Sequence, residues 1–154
     1  METSDDWQND IVKEIGGYKD KFSKKDCKKC KLDLLLRITK KVAGFSPDCG
    51  ECQHFQEEIT KLTESLCDLV DVPKEKRKGH LNVINTIIKH LQKRHKLISE
   101  LEYTALGISM GLAFGSAIGV AMGNVAIGIP IGMCVGLSVG SYMDTKAKKD
   151  GKVI

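Results

Sequence analysis

"GLAFGSAIGVAMG", residues 111–123, decides how the rest of this chain is read. With the residue four places before it, the stretch sets glycine at Gly107, Gly111, Gly115, Gly119 and Gly123, inside an otherwise apolar run. After Asn124 the four-residue step resumes at Gly128, Gly132, Gly136 and Gly140. In water, glycine in a helix interior costs roughly 1 kcal/mol relative to alanine. A register kept over so many steps therefore serves packing.

Thr104 to Gly123 supplies about 20 uncharged residues and Val125 to Met143 about 19 more, each near the length that crosses a bilayer. Asn124 is the only strongly polar residue between them, which predicts a helical hairpin turning near Gly123 to Gly128. Pro130 suits the first turn of the second helix. If that helix starts only there, the second span is short, and a re-entrant hairpin competes with a full crossing. "KHLQKRHK" precedes the first helix and "DTKAKKDGK" follows the second. Lysine and arginine concentrate on the cytoplasmic side of membranes, so both termini are expected in the cytoplasm, with the chain in the cell membrane.

In lipid there is little hydrophobic drive between helices, so small residues at every fourth position matter because they let backbones approach closely. Ala113, Ser116, Ala117, Ala121 and Ser138 widen the small surface. The pattern resembles the bacterial glycine-zipper proteins, in which repeated GxxxG steps form a membrane-associated hairpin, and the basic tail "SYMDTKAKKDGK" is similar to theirs. The resemblance covers about the last third of the chain. It implies membrane association and self-assembly into a homo-oligomer, and no reaction.

The remainder is different in kind. Charged residues crowd the chain up to Glu102, whereas only Tyr103 and Cys134 are ionisable between Glu102 and Tyr142. The N-terminus is acidic and amphipathic, without the basic start and apolar stretch of a signal peptide, so the head is expected in the cytosol with reduced thiols. Trp7, Ile11, Ile15, Tyr18 and Phe22 recur at helical spacing, with Ser4 as a cap and Gly16 and Gly17 as weak points. A second helix is expected over Lys31 to Ala43. A third begins at Asp48, where Asp48 and Glu51 have capping-box spacing, and carries Phe55, Ile59, Leu62, Leu66, Leu69 and Val70. "VPKEKRKG" breaks it, and a fourth runs from His80 through Ile84, Ile87 and Leu91 without a break into the apolar segment. The fold class is all-α: a helical bundle head over 1–100, a glycine-zipper membrane hairpin over 101–143 and a basic tail over 144–154.

Six cysteines carry the sharpest chemical signal. "CKKC" and "CGEC" pair Cys27 with Cys30 and Cys49 with Cys52, the two-by-two pattern of a four-thiolate zinc site. A helix of roughly 20 Å lies between the pairs, so one shared site requires the connector after Gly44 to double back. An antiparallel bundle offers a split instead. Cys27 and Cys30 then neighbour Cys67 and His80, while Cys49 and Cys52 face His90 and His95, with His54 nearby. Ordinary or redox thiols are the third possibility.

No GxSxG, P-loop, HExxH or paired-carboxylate arrangement is present, and no βαβ pattern surrounds "CGEC" to make it a thiol oxidoreductase. The chain reads as a non-enzyme. Basic runs without interleaved aromatics rank a bilayer above nucleic acid as the partner. The expected function is a membrane-anchored, self-associating protein that presents a thiolate head, with zinc as its metal. A pore-forming or membrane-permeabilising factor is the first alternative. A soluble assembly with a buried glycine seam is the second.

Overall fold

A computed structural model describes residues 4–69 and 74–154. Among these it has seven α-helices and no strand. The chain divides into two compact units, one of residues 1–95 with Ile154 and the other of residues 96–153.

In the first unit, α1 (Ser4–Lys21), α2 (Lys24–Lys29), α3 (Leu32–Phe45), α4 (Gly50–Glu64) and α5 (Lys74–His95) are joined by short links, with a 3-10 turn over Ser65–Leu69. The apolar stripes become the core: Ile11, Ile15, Leu32, Leu35, Ile38, Val42, Ile59, Leu66, Ile84, Ile87 and Leu91 are buried. Thr39 and Thr63 join them because each hydroxyl donates to the carbonyl four residues earlier, Leu35 and Ile59.

Several local expectations change. α1 runs straight through Gly16 and Gly17. Ser4 is part of that helix rather than its cap, and its hydroxyl donates to the Ala43 carbonyl at 2.9 Å, beside the Ser46 hydroxyl at 2.7 Å. α2 is an additional helix, capped by Ser23, whose oxygen accepts from the Asp26 amide. Lys31, at φ 51°, turns the chain out of it into α3. The Asp48–Glu51 capping box does not form: Cys49 is the N-cap of α4. α5 begins at Lys74, earlier than His80. Val70 and the Val72–Pro73 part of the expected break lie outside the described residues.

The fourth helix also does not continue into the apolar segment. α5 stops at His95, and Lys96 and Leu101 have φ of 53° and 63°, left-handed conformations that interrupt any helix. In the second unit this linker pairs with the tail: the Ile98 amide donates to the Lys152 carbonyl at 2.9 Å, and Ile98 and Val153 form a parallel bridge.

The hairpin is α6 (Glu102–Ala121) and α7 (Val125–Lys149). Its turn is a Schellman motif. Gly123 adopts φ 72°, its amide donates to Val120, and the Asn124 amide donates to Gly119. α7 therefore starts immediately after Asn124, so Pro130 lies in its second turn rather than its first, and the second span is not short.

Candidate metal centre and glycine seam

The first unit assembles one group of metal-ligating side chains among the described residues: Cys49, Cys52, His90 and His95, with ligand atoms all within 4.8 Å of one another. α4 contributes the sulfurs from its N-cap and first turn, and α5 the imidazoles from its last two turns. His90 Nε2 lies 3.5 Å from Cys49 Sγ and 3.6 Å from Cys52 Sγ, and His95 Nε2 lies 3.4 Å from Cys52 Sγ. Zinc bonds of about 2.3 Å to sulfur and 2.0–2.1 Å to nitrogen, at tetrahedral angles, separate sulfur from nitrogen by about 3.6 Å. The three sulfur–nitrogen separations lie close to that length.

The surroundings hold the imidazoles in place. His90 Nδ1 donates to the Glu51 carboxylate, which leaves Nε2 as the lone-pair donor facing the sulfurs. The His95 ring stacks on Phe45 at 4.0 Å between centroids, and His90 meets Phe55 edge-on at 5.3 Å. Burial, then the neighbouring His90 and Arg94, holds the His95 pKa below the ordinary imidazole value, so it stays neutral and able to coordinate. Without metal, burial and then the adjacent Cys49 push the Cys52 thiol up to about 12. Loading a cation therefore expels protons from this site.

The single four-thiolate site is not assembled. Cys27 and Cys30 lie at the far end of α3 from Cys49 and Cys52, and its 14 residues span about 21 Å. Cys27 Sγ faces the Phe22 carbonyl, and the Cys30 carbonyl lies 3.3 Å from His80 Nε2. Cys67 pairs with the Tyr18 hydroxyl. These residues form no ligand group among the described residues, and His54 sits apart beside Glu57. The antiparallel-bundle reading of the sequence named Cys49, Cys52, His90 and His95 as one half of the split. No sequence signal marks Glu51 as the residue that orients His90.

In the second unit the glycines pack α6 against α7. A Cβ at Gly107, Gly111 or Gly115 would overlap the carbonyl oxygen of Gly136, Gly132 or Gly128, and the reverse holds for each pair. Gly119 packs against Val125 and Gly128, and Gly140 against Tyr103 and Thr104. Gly123 belongs to the turn and not to the seam. The backbones touch along the whole hairpin, which no larger residue permits.

At the open end, the Asp144 carboxylate from α7 accepts the amides of Tyr103 and Thr104, at 3.1 and 2.8 Å. It caps α6, whose own N-cap residue Leu101 offers no side-chain acceptor. The cap comes from 40 residues away, beyond the reach of any local sequence signal.

Both helices are long and apolar enough to cross a bilayer. Their large side chains turn outward: Phe114 is 65% exposed, Val120 67% and Val135 60%. No curated protein and no solved structure matches the chain. Its C-terminal part, residues 98–146, matches the family described as glycine zipper membrane protein.

Proposed function

We propose that this chain is a non-enzymatic membrane protein whose hairpin sits in the bilayer and whose head binds one zinc ion. The observation that carries the membrane half is the outward apolar surface of α6 and α7. Leaving it in water costs about 25 cal/mol per Å2, and lipid removes that cost. The zinc half rests on the gathering of Cys49, Cys52, His90 and His95 within 4.8 Å, with three sulfur–nitrogen separations of 3.4, 3.5 and 3.6 Å. Four protein ligands leave no open coordination position, which favours a bracing role over catalysis.

Lys93, Arg94 and Lys96 precede the hairpin, Lys146, Lys148 and Lys149 close the last turn of α7 and Lys152 lies beyond it, which supports a cytoplasmic side for both ends of the hairpin. Self-association completes the reading. The glycine faces are occupied within one chain, so a second copy meets the hairpin's outer surface. There Ala105, Ser109, Ala113, Ala117 and Ala121 form a further stripe of exposed small residues.

The test is carbonate extraction of membranes from expressing cells, followed by cross-linking in the membrane and metal analysis of the detergent-solubilised protein. Carbonate-resistant, cross-linked protein with one zinc per chain is expected. Release into the supernatant would overturn the bilayer assignment and favour a soluble assembly. Cross-linking that yields only monomer would remove self-association.

A further inference from the structure

The two sulfurs of the candidate metal centre differ in access. Cys49, at the N-cap of α4, is partly exposed, whereas Cys52 is fully buried one turn further on. The two sulfurs lie within 4.8 Å of each other. A disulfide needs about 2.05 Å, and residues three apart at a helix start can close that gap by side-chain rotation. From this geometry, we propose that Cys49 and Cys52 form a peroxide-sensitive latch, whose oxidation to a disulfide discharges the metal and frees the last turn of α5 from α4. The proposal rests on the metal-binding reading.

The chemistry balances with a hydroperoxide as oxidant. The accessible Cys49 thiolate attacks one peroxide oxygen, the O–O bond breaks, and with one proton the other oxygen leaves as water, giving a sulfenic acid. The Cys52 thiolate then attacks the Cys49 sulfur, the S–O bond breaks, and a second proton carries that oxygen away as water. Two thiolates lose two electrons and hydrogen peroxide becomes two waters. Both anionic ligands are thereby consumed, and the two remaining imidazoles hold a divalent cation far more weakly.

The other CxxC pair is built differently. Cys27 is in the last turn of the six-residue α2 and Cys30 is its C-cap, with Cys30 fully buried, and among the described residues the pair joins no group of three or more metal-ligating side chains. An oxidant acting through the latch therefore leaves Cys27 and Cys30 out of the metal response.

The experiment uses the full chain in detergent micelles, loaded with zinc and titrated with hydrogen peroxide. A chromogenic chelator reads released zinc, and peptide mass mapping locates the disulfide. The expected result is one zinc released per Cys49–Cys52 disulfide, reversed by dithiothreitol and renewed zinc. The C27S/C30S variant should respond like the parent. Zinc retained alongside that disulfide, zinc lost without it, or oxidation confined to Cys27 and Cys30 would each overturn the latch and leave zinc binding intact. A chain that takes up no zinc before peroxide is added overturns the metal reading itself, and the latch with it.

Discussion

In the head, Ile38, Ile59, Ile87 and Leu91 are withdrawn from solvent, while Gly16, Gly17 and Gly44 face open space. In the hairpin the roles are exchanged: Gly115, Gly119, Gly128 and Gly136 are buried, and Phe114, Ile131 and Val135 face outward. Water rewards hiding large side chains, so the head closes around them. Lipid tails are as apolar as leucine and give no such reward, so the hairpin gains only from close backbone contact. One chain thus follows two packing rules, and the rule changes at the left-handed residues Lys96 and Leu101.

The contrast breaks most sharply at the seam. Gly132→Leu puts a side chain where the Gly111 carbonyl and the Gly115 backbone already stand, so the helices must part. Spin labels on the outer faces at Ala113 and Ser138 should show one short separation in the parent and a longer, broader one in the variant. The neighbouring Ile131→Leu, on an outward position, should leave the distance unchanged. An unmoved distance in Gly132→Leu would mean that the seam is not what joins the helices.

Truncation of large side chains should run the other way. Ile38→Ala in the head is expected to cost about 2–5 kcal/mol in denaturant unfolding, the range for a buried isoleucine. Val135→Ala on the hairpin should change its stability by less than about 0.5 kcal/mol. Equal costs would erase the distinction between the two regions.

Mild acid, between pH 7.5 and 5.5, should act on the head through its buried and half-buried histidines. Burial holds the pKa of His80 and of His95 below the ordinary 6.5. The folded state thus prefers neutral imidazoles, and the unfolded chain binds protons first as pH falls. This contribution is complete above about 6.5 and is lost progressively below it. Melts of metal-free protein should show a falling head transition between pH 7.5 and 5.5, and His80→Gln should flatten that slope. A slope of opposite sign would contradict the burial argument.

The smallest effect reverses sign between regions. Gly17→Ala has open space for its methyl and should stabilise α1 by about 0.4–1 kcal/mol. Alanine at Gly115 meets the Gly128 carbonyl oxygen and should destabilise the hairpin. Parallel melts of the two variants measure both signs.

The helical periodicity, the core stripes and the glycine register were all legible in the sequence, because each repeats with the helix itself. What the stripe packs against was not, since the same step suits a neighbour in the chain or a second copy. The cysteine partition stayed open because a CxxC pair sits at each end of α3. Only the return of α5 along the bundle brings His90 and His95 to the second pair. Glu51 was read as a helix cap because its spacing fits one, yet a partner 39 residues later claims its carboxylate.

The seam repeats every four residues on both helices, so sliding α6 by one step against α7 would bring glycine opposite glycine again. Such a surface has translational symmetry, and by itself it defines a family of near-equivalent alignments rather than one. Two features outside the repeat remove the ambiguity. The turn at Gly123 fixes the length of chain at one end, and Asp144 accepts the amides of Tyr103 and Thr104 at the other. The hairpin is indexed like a vernier, by its end marks, and a single carboxylate sets which of the repeated matches is read.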